Sequence, residues 1–278
     1  MAVVAFVDGS DWDRSVIEYA AWATNLLGQR LTLVAQEDSL ESQPPLSYDA
    51  YQQMNPREDM FRELATVPLP DHPDQDSSAI EIVQSAARHA KELNVERVRT
   101  LTTSDSLPYF VENSTDSEDL LVVPRRDDGD PGSRQLLDQF LKLRKRVMLL
   151  VPESFTQVES WLFALDGKPA TGKAVDFLSN QRLLKSSSGT AVFVGSDYQN
   201  RIHFRDAVKH LHGSGHDVTS YELQGSADDV IAAVLTVLPV DMLVMGAYGQ
   251  GRFRLLTERS TTSRLLREFR GPVLVARA

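Results

Sequence analysis

Short runs rich in apolar and β-branched residues punctuate the chain at residues 2–7, 31–36, 97–102, 120–124 and 147–151. A second set follows at 160–165, 190–195, 217–223, 242–246 and 272–276. Runs of this length without polar alternation suit strands that are buried on both faces. Between them, apolar positions recur at helical spacing over 15–27 and 79–93, and later over 172–184, 202–212, 227–238 and 262–269. Doubly buried strands alternating with helices predict a parallel sheet flanked by helices. The expected fold class is therefore α/β, with five strands to each half of the chain.

The two halves echo one another. Val3-Val-Ala-Phe-Val-Asp8-Gly9 is matched by Trp161-Leu-Phe-Ala-Leu-Asp166-Gly167, and Asp119-Leu-Leu-Val-Val-Pro124 by Asp241-Met-Leu-Val-Met-Gly246. Val147–Val151 corresponds to Pro272–Ala276. Three matches in the same order predict a tandem duplication, with domains at 1–153 and 154–278 and the joint in Pro152–Val158. Their final strands are expected to meet near an approximate two-fold, as an intramolecular pseudo-dimer. Residues 38–76, with six prolines and room for one short helix near 57–64, have no counterpart in the second half and read as an insertion.

Composition removes several function classes. Without cysteine the 278-residue chain has no disulfide, thiolate metal site or Cys nucleophile. A net charge of −10 argues against a nucleic-acid scaffold or a polybasic membrane anchor. No apolar run approaches the roughly 20 residues of a membrane span, and the apolar N-terminal run is too short for a signal-peptide core. A cytoplasmic globular protein is expected. The charge is unevenly divided: residues 1–153 carry 15 basic and 27 acidic side chains, a balance of −12, and residues 154–278 carry 14 and 12, a balance of +2.

In an open parallel sheet, ligands bind beyond the carboxyl ends of the strands where the strand order reverses. In a five-stranded sheet of this kind those are the ends of the first and fourth strands. In the second half they read Asp166-Gly167 and Gly246-Ala-Tyr-Gly249-Gln-Gly251, the latter leading through Arg252, Arg254 and Arg259 into Ser260-Thr261-Thr262-Ser263. Glycines let backbone approach a ligand closely. Hydroxyl side chains at a helix start, beside free N–H groups, attract phosphate. A plain glycine turn with a capping Ser/Thr cluster is the simpler alternative; the joint placement after the fourth strand favours an anion or nucleotide pocket over 246–263.

These features resemble a tandem universal stress protein. The family's nucleotide signature is Gly, two residues, Gly, nine residues, then Gly-Ser or Gly-Thr; Gly246 and Gly249 match, and nine residues later stands Arg259-Ser260, with Arg in place of the third glycine. The resemblance implies the adenine-nucleotide alpha-hydrolase-like fold and an ATP-type ligand, with or without Mg. It implies that Asp166, Val194 and Gly195 lie near the adenosine and that Gly246, Gly249, Ser260 and Thr261 lie near ribose and phosphates. Arg259 would pair with phosphate through its guanidinium. It also implies a stress-response role through protein partners whose identity the sequence does not name. With no general base in the glycine loop, turnover is expected to be slow ATP hydrolysis at most.

The first half departs further. Pro124 stands where Gly246 does, followed by Arg125-Arg126-Asp127-Asp128-Gly129-Asp130, and its aspartates repel phosphate. Degenerate nucleotide binding is expected there. Two rival readings stay open. One is an interaction protein of the same fold with no working nucleotide site. The other is a phosphate-loop NTPase using Gly167–Lys173, although Ala174 replaces the Ser or Thr that would hold magnesium. His203, His210, His212 and His216 are read as helix-end and turn residues rather than metal ligands.

Overall fold

The computed structural model describes residues 1–37, 78–126, 131–165, 172–246 and 269–276. In chain order its first half contains β1 (Val3–Phe6), α1 (Trp12–Leu27), β2 (Leu31–Gln36), α2 (Ala79–Glu92), β3 (Val98–Thr103), α3 (Leu107–Ser114), β4 (Leu120–Pro124), α4 (Pro131–Lys142) and β5 (Val147–Val151). The second contains β6 (Ser160–Leu165), α5 (Gly172–Asn180), β7 (Ser188–Val194), α6 (Tyr198–Gly213), β8 (Val218–Leu223), α7 (Ala227–Val237), β9 (Met242–Gly246) and β10 (Val273–Ala276). All ten strands coincide with the apolar runs. Helices α3 and α4 were not foreseen: α3 is eight residues long and buries only Leu107 and Val111, too few for a periodic signal. The insertion 38–76 and the helix expected over 262–269 lie outside the described residues, apart from Phe269.

The strands form one sheet of ten in the order β3-β2-β1-β4-β5-β10-β9-β6-β7-β8. Every neighbouring pair is parallel except β5 and β10, which are antiparallel. The final strands thus meet as expected, and they do so by hydrogen bonding edge to edge, so two five-stranded halves become one sheet. Leu149 stands opposite Leu274, and the sequence repeat sets these same two residues in correspondence. They mark the approximate two-fold. The antiparallel seam turns the halves head to tail: the carboxyl edge of one half continues into the amino edge of the other.

Side chains of successive strand residues alternate between two layers. Val147, Leu149 and Val151 join Leu274 and Ala276 on the face covered by α1, α2, α5 and α6. Met148 and Leu150 join Val273 and Val275 on the opposite face, under α3, α4 and partly buried α7. Both layers run unbroken across the seam. The repeat is visible in polar detail too. Asp119 precedes β4 and accepts the Ala2 N–H (2.6 Å) and the Asp116 N–H (2.9 Å). Asp241 precedes β9 and accepts the N–H groups of Glu159 (3.0 Å) and Ser160 (2.9 Å). Each aspartate ties the start of its half's fourth strand to the chain entering the first.

Candidate functional site

Strand order reverses twice, between β1 and β4 and between β6 and β9, so the sheet has two crevices of the kind that hold ligands. In the second half, Ala164 pairs with Met245 and Leu165 with Phe193, so β6, β7 and β9 end level with one another. Val194, Gly195 and Gly246 are thereby brought to one edge, on either side of the end of β6 and about 10 Å apart, two strand spacings. Gly195 has φ +153° and donates its N–H to the Leu223 carbonyl (3.1 Å). Neither glycine carries a side chain into the crevice. Asp166, Gly249, Arg259, Ser260 and Thr261, like residues 167–171 of the phosphate-loop reading, lie outside the described residues.

The first-half crevice is built differently. Its second strand is followed by Glu37, which donates its N–H to Thr103 (2.8 Å) as Gly195 does to Leu223. Where Gly195 has no side chain, the Glu37 carboxylate accepts from the Thr102 hydroxyl (2.7 Å). Beyond β1, the chain turns at Asp8-Gly9-Ser10, and Asp13 in the first turn of α1 accepts the N–H groups of Asp8 (3.0 Å) and Gly9 (2.8 Å). From the end of β4, Arg126 reaches across the crevice to the Asp8 carboxylate (2.5 Å) and the Ser10 hydroxyl (2.7 Å). Its side chain is only 19% exposed. The guanidinium therefore spans the gap between the ends of the first and fourth strands.

The charges in this turn oppose one another. Burial works against the ionised form of Asp8, but the Ser10 hydroxyl, the charge of Arg126 and the Ser10 N–H outweigh it and hold the carboxyl below its ordinary range. Burial pushes Asp13 up to about 6, against the pull of the two backbone N–H groups, with the Asp8 charge adding to the rise. Among the described residues, the crevice holds a cavity of about 50 Å³, walled mainly by Phe6, Leu107, Val123, Leu137 and Phe140. Small-molecule sites usually run to about 300–1,000 Å³, so this cavity is far below the size of a nucleotide. Arg126 was not singled out from sequence. Its signal was the pair Arg125-Arg126 directly after the fourth strand, where the other half has Ala247-Tyr248.

Two other sequence features find structural employment. Lys173 of the phosphate-loop pattern directs its ammonium to the carbonyls of Lys145 (3.1 Å) and Ser117 (3.4 Å) in the first half. His216 is buried, with Nε2 2.8 Å from the Leu178 carbonyl, and its ring meets Trp161 edge-on at 6.0 Å. His203, His210 and His212 lie along α6. Among the described residues no group of three or more His, Asp or Glu is arranged to hold a metal ion, and no helix is long and apolar enough to cross a membrane.

Comparison with known proteins follows the same lines. A family model described as the universal stress protein family matches residues 127–277, just over half of the chain. A universal stress protein of Synechocystis sp. is 23% identical over 286 residues and aligns over 99% of both chains. Among solved structures, a universal stress protein from Archaeoglobus fulgidus DSM 4304 superposes at a TM-score of 0.65 with 15% identity, covering 99% of this chain and 96% of its own. The cytoplasmic domain of a prokaryotic cation chloride cotransporter superposes at 0.58 with 9% identity, covering 99% of this chain and 95% of its own. At such identities the structural likeness is one of fold.

Proposed function

Because the chain belongs to the universal stress protein family, we propose that its second half, residues 154–278, binds ATP or a related adenine nucleotide at the carboxyl edge of β6, β7 and β9. The observation that carries this reading is the contrast between the two crevices. One is spanned by Arg126; the other is flanked by Gly195 and Gly246, where no Cβ obstructs a ligand. In this reading Asp166, Val194 and Gly195 face the adenosine, Gly246 and Gly249 admit the ribose and phosphates, and Ser260, Thr261 and Arg259 hold the phosphate end. Any magnesium travels with the nucleotide's phosphates. The first half, residues 1–153, serves as a partner domain without nucleotide, and the protein acts by docking with other proteins in the cytoplasm rather than by turnover.

Mass spectrometry of ligand released from freshly purified protein should find an adenine nucleotide, and calorimetry with ATP should give one site per chain. A protein that emerges empty and shows no heat with millimolar ATP sinks the reading. That result would support the second one, an interaction module whose crevices are both closed, which Arg259 in place of the third signature glycine favours.

A further inference from the structure

The antiparallel seam has a consequence for the second-half crevice. Ala276 pairs with Gly246 on one side and with Val147 on the other. Val147 therefore lies two strand spacings from Gly246, about 10 Å away along the same edge of the sheet. The residues before Val147 form the turn from α4 into β5: Lys142, Leu143, Arg144, Lys145 and Arg146. Leu143 is buried, and Arg146 is buried with its guanidinium on the Val111 (2.9 Å) and Thr115 (3.2 Å) carbonyls. Lys142, Arg144 and Lys145 are exposed. Lys145 holds φ +55°, and Lys173, in the first turn of the helix that follows β6, grips its carbonyl. The turn is thus fastened to the second half while its cations stay in solvent. Among the described residues neither Arg144 nor Lys145 has an ion-pair partner, though Asp116 and Glu118 are exposed on the nearby turn before β4.

We infer that the first half supplies part of the second half's anion site: Arg144 and Lys145, with Lys173 fastening their turn, form a cationic rim that attracts the polyphosphate of a nucleotide seated beyond β6 and β9. This rests on the nucleotide reading above. Long cationic side chains at this range act through space on a tail carrying three or four negative charges and hardly at all on an uncharged nucleoside. The first half, which binds no nucleotide itself, then sets how strongly the second half prefers ATP over AMP and adenosine. The rim is laid down by the head-to-tail seam, so a second half taken alone would lack it.

The test is calorimetric titration of the full chain with ATP, AMP and adenosine, comparing wild type with Arg144→Glu/Lys145→Glu. The double reversal should weaken ATP at least about tenfold at low salt, weaken AMP less, and leave adenosine within about twofold. A control reversal at Arg182→Glu/Lys185→Glu, exposed cations at the far edge of the second half, makes the same change in net charge and should move ATP by less than about threefold. The milder Arg144→Gln/Lys145→Gln covers a reversal that fails to fold and should show the same order of effects. Equal losses for ATP and adenosine, equal losses at the control site, or an unchanged ATP affinity each overturn the rim. If the wild type binds neither ATP nor adenosine, the nucleotide reading itself fails and the rim falls with it.

Discussion

The two crevices of this sheet are copies that were finished in opposite ways. Both sit where strand order reverses, and both have a third-strand carbonyl accepting an N–H from just beyond the second strand. One places Glu37 and Arg126 at that edge, the other Gly195 and Gly246. The architecture was kept while the chemistry of its mouth was exchanged: side chains reach across the gap in one half, and in the other the described residues beside the gap are glycines. The same contrast recurs in the packing. Leu31 faces Val3 between the first two strands of one half, and Gly189 faces Trp161 in the other. A duplicated scaffold tolerates such a swap because total volume at the contact is conserved.

The two halves share one sheet, and the seam is where they part most easily. Leu149, fully buried on the two-fold, should cost about 3 kcal/mol when cut to Ala; scanning calorimetry should show one transition moved to lower temperature, whereas two separated transitions would make the halves independent. Gly189→Ala comes next. Its new Cβ would lie 2.3 Å from the Trp161 ring, so a loss of about 2 kcal/mol is expected in denaturant titration. An Ala that folds as well as wild type would show that the compensated volume is not held tightly.

Smaller effects sharpen the first-half turn. Because Asp13 is raised to about 6, the folded chain holds its proton over a pH range where the unfolded carboxylate, near about 3.9, has already lost it. That contribution is present below the unfolded value and is lost as pH rises through about 6. Melting temperatures of Asp13→Asn relative to wild type should therefore climb between pH 4 and 7. A flat difference would mean that the carboxylate is better solvated than its burial implies. Asp8, lowered by its partners, should behave in the opposite sense, its stabilisation fading as pH falls. Least of all in stability, Arg126→Ala should cost about 0.5 kcal/mol, since its partner is half exposed. ATP stoichiometry should stay at one per chain because Asp127, Asp128 and Asp130 follow in the sequence; a second site would show that Arg126 alone separates the halves.

The inner strands were legible because a strand covered on both faces has no polar residue to blur its limits. The edge strands β3 (VRTLTT) and β8 (VTSYEL) are polar and largely exposed, and showed through their β-branched residues and their place in the repeat. The seam was legible as well, since Val147–Val151 and Val273–Ala276 close their repeats in the same way. Helix α3 was not, because Pro108 and two buried residues make no period. The plug at Arg126 was hidden for another reason. It depends on the adjacency of β1 and β4, residues 118 positions apart in the chain, which no local pattern encodes. Of the nucleotide residues picked from sequence, Val194, Gly195 and Gly246 come to one edge, and that much followed from strand ends alone. The rival phosphate-loop reading of Lys173 rested on glycine spacing, and spacing does not register that the ammonium is engaged by carbonyls of the other half.

Strand β10 comes after all nine others in the chain, yet it is the sixth of ten in the sheet. During synthesis, β5 and β9 must therefore wait, each with an open edge, until Val273–Ala276 leaves the ribosome. These four residues, the last of the ten strands to be made, are the keystone for both halves at once, so the sheet is completed in a single closing step rather than one half at a time.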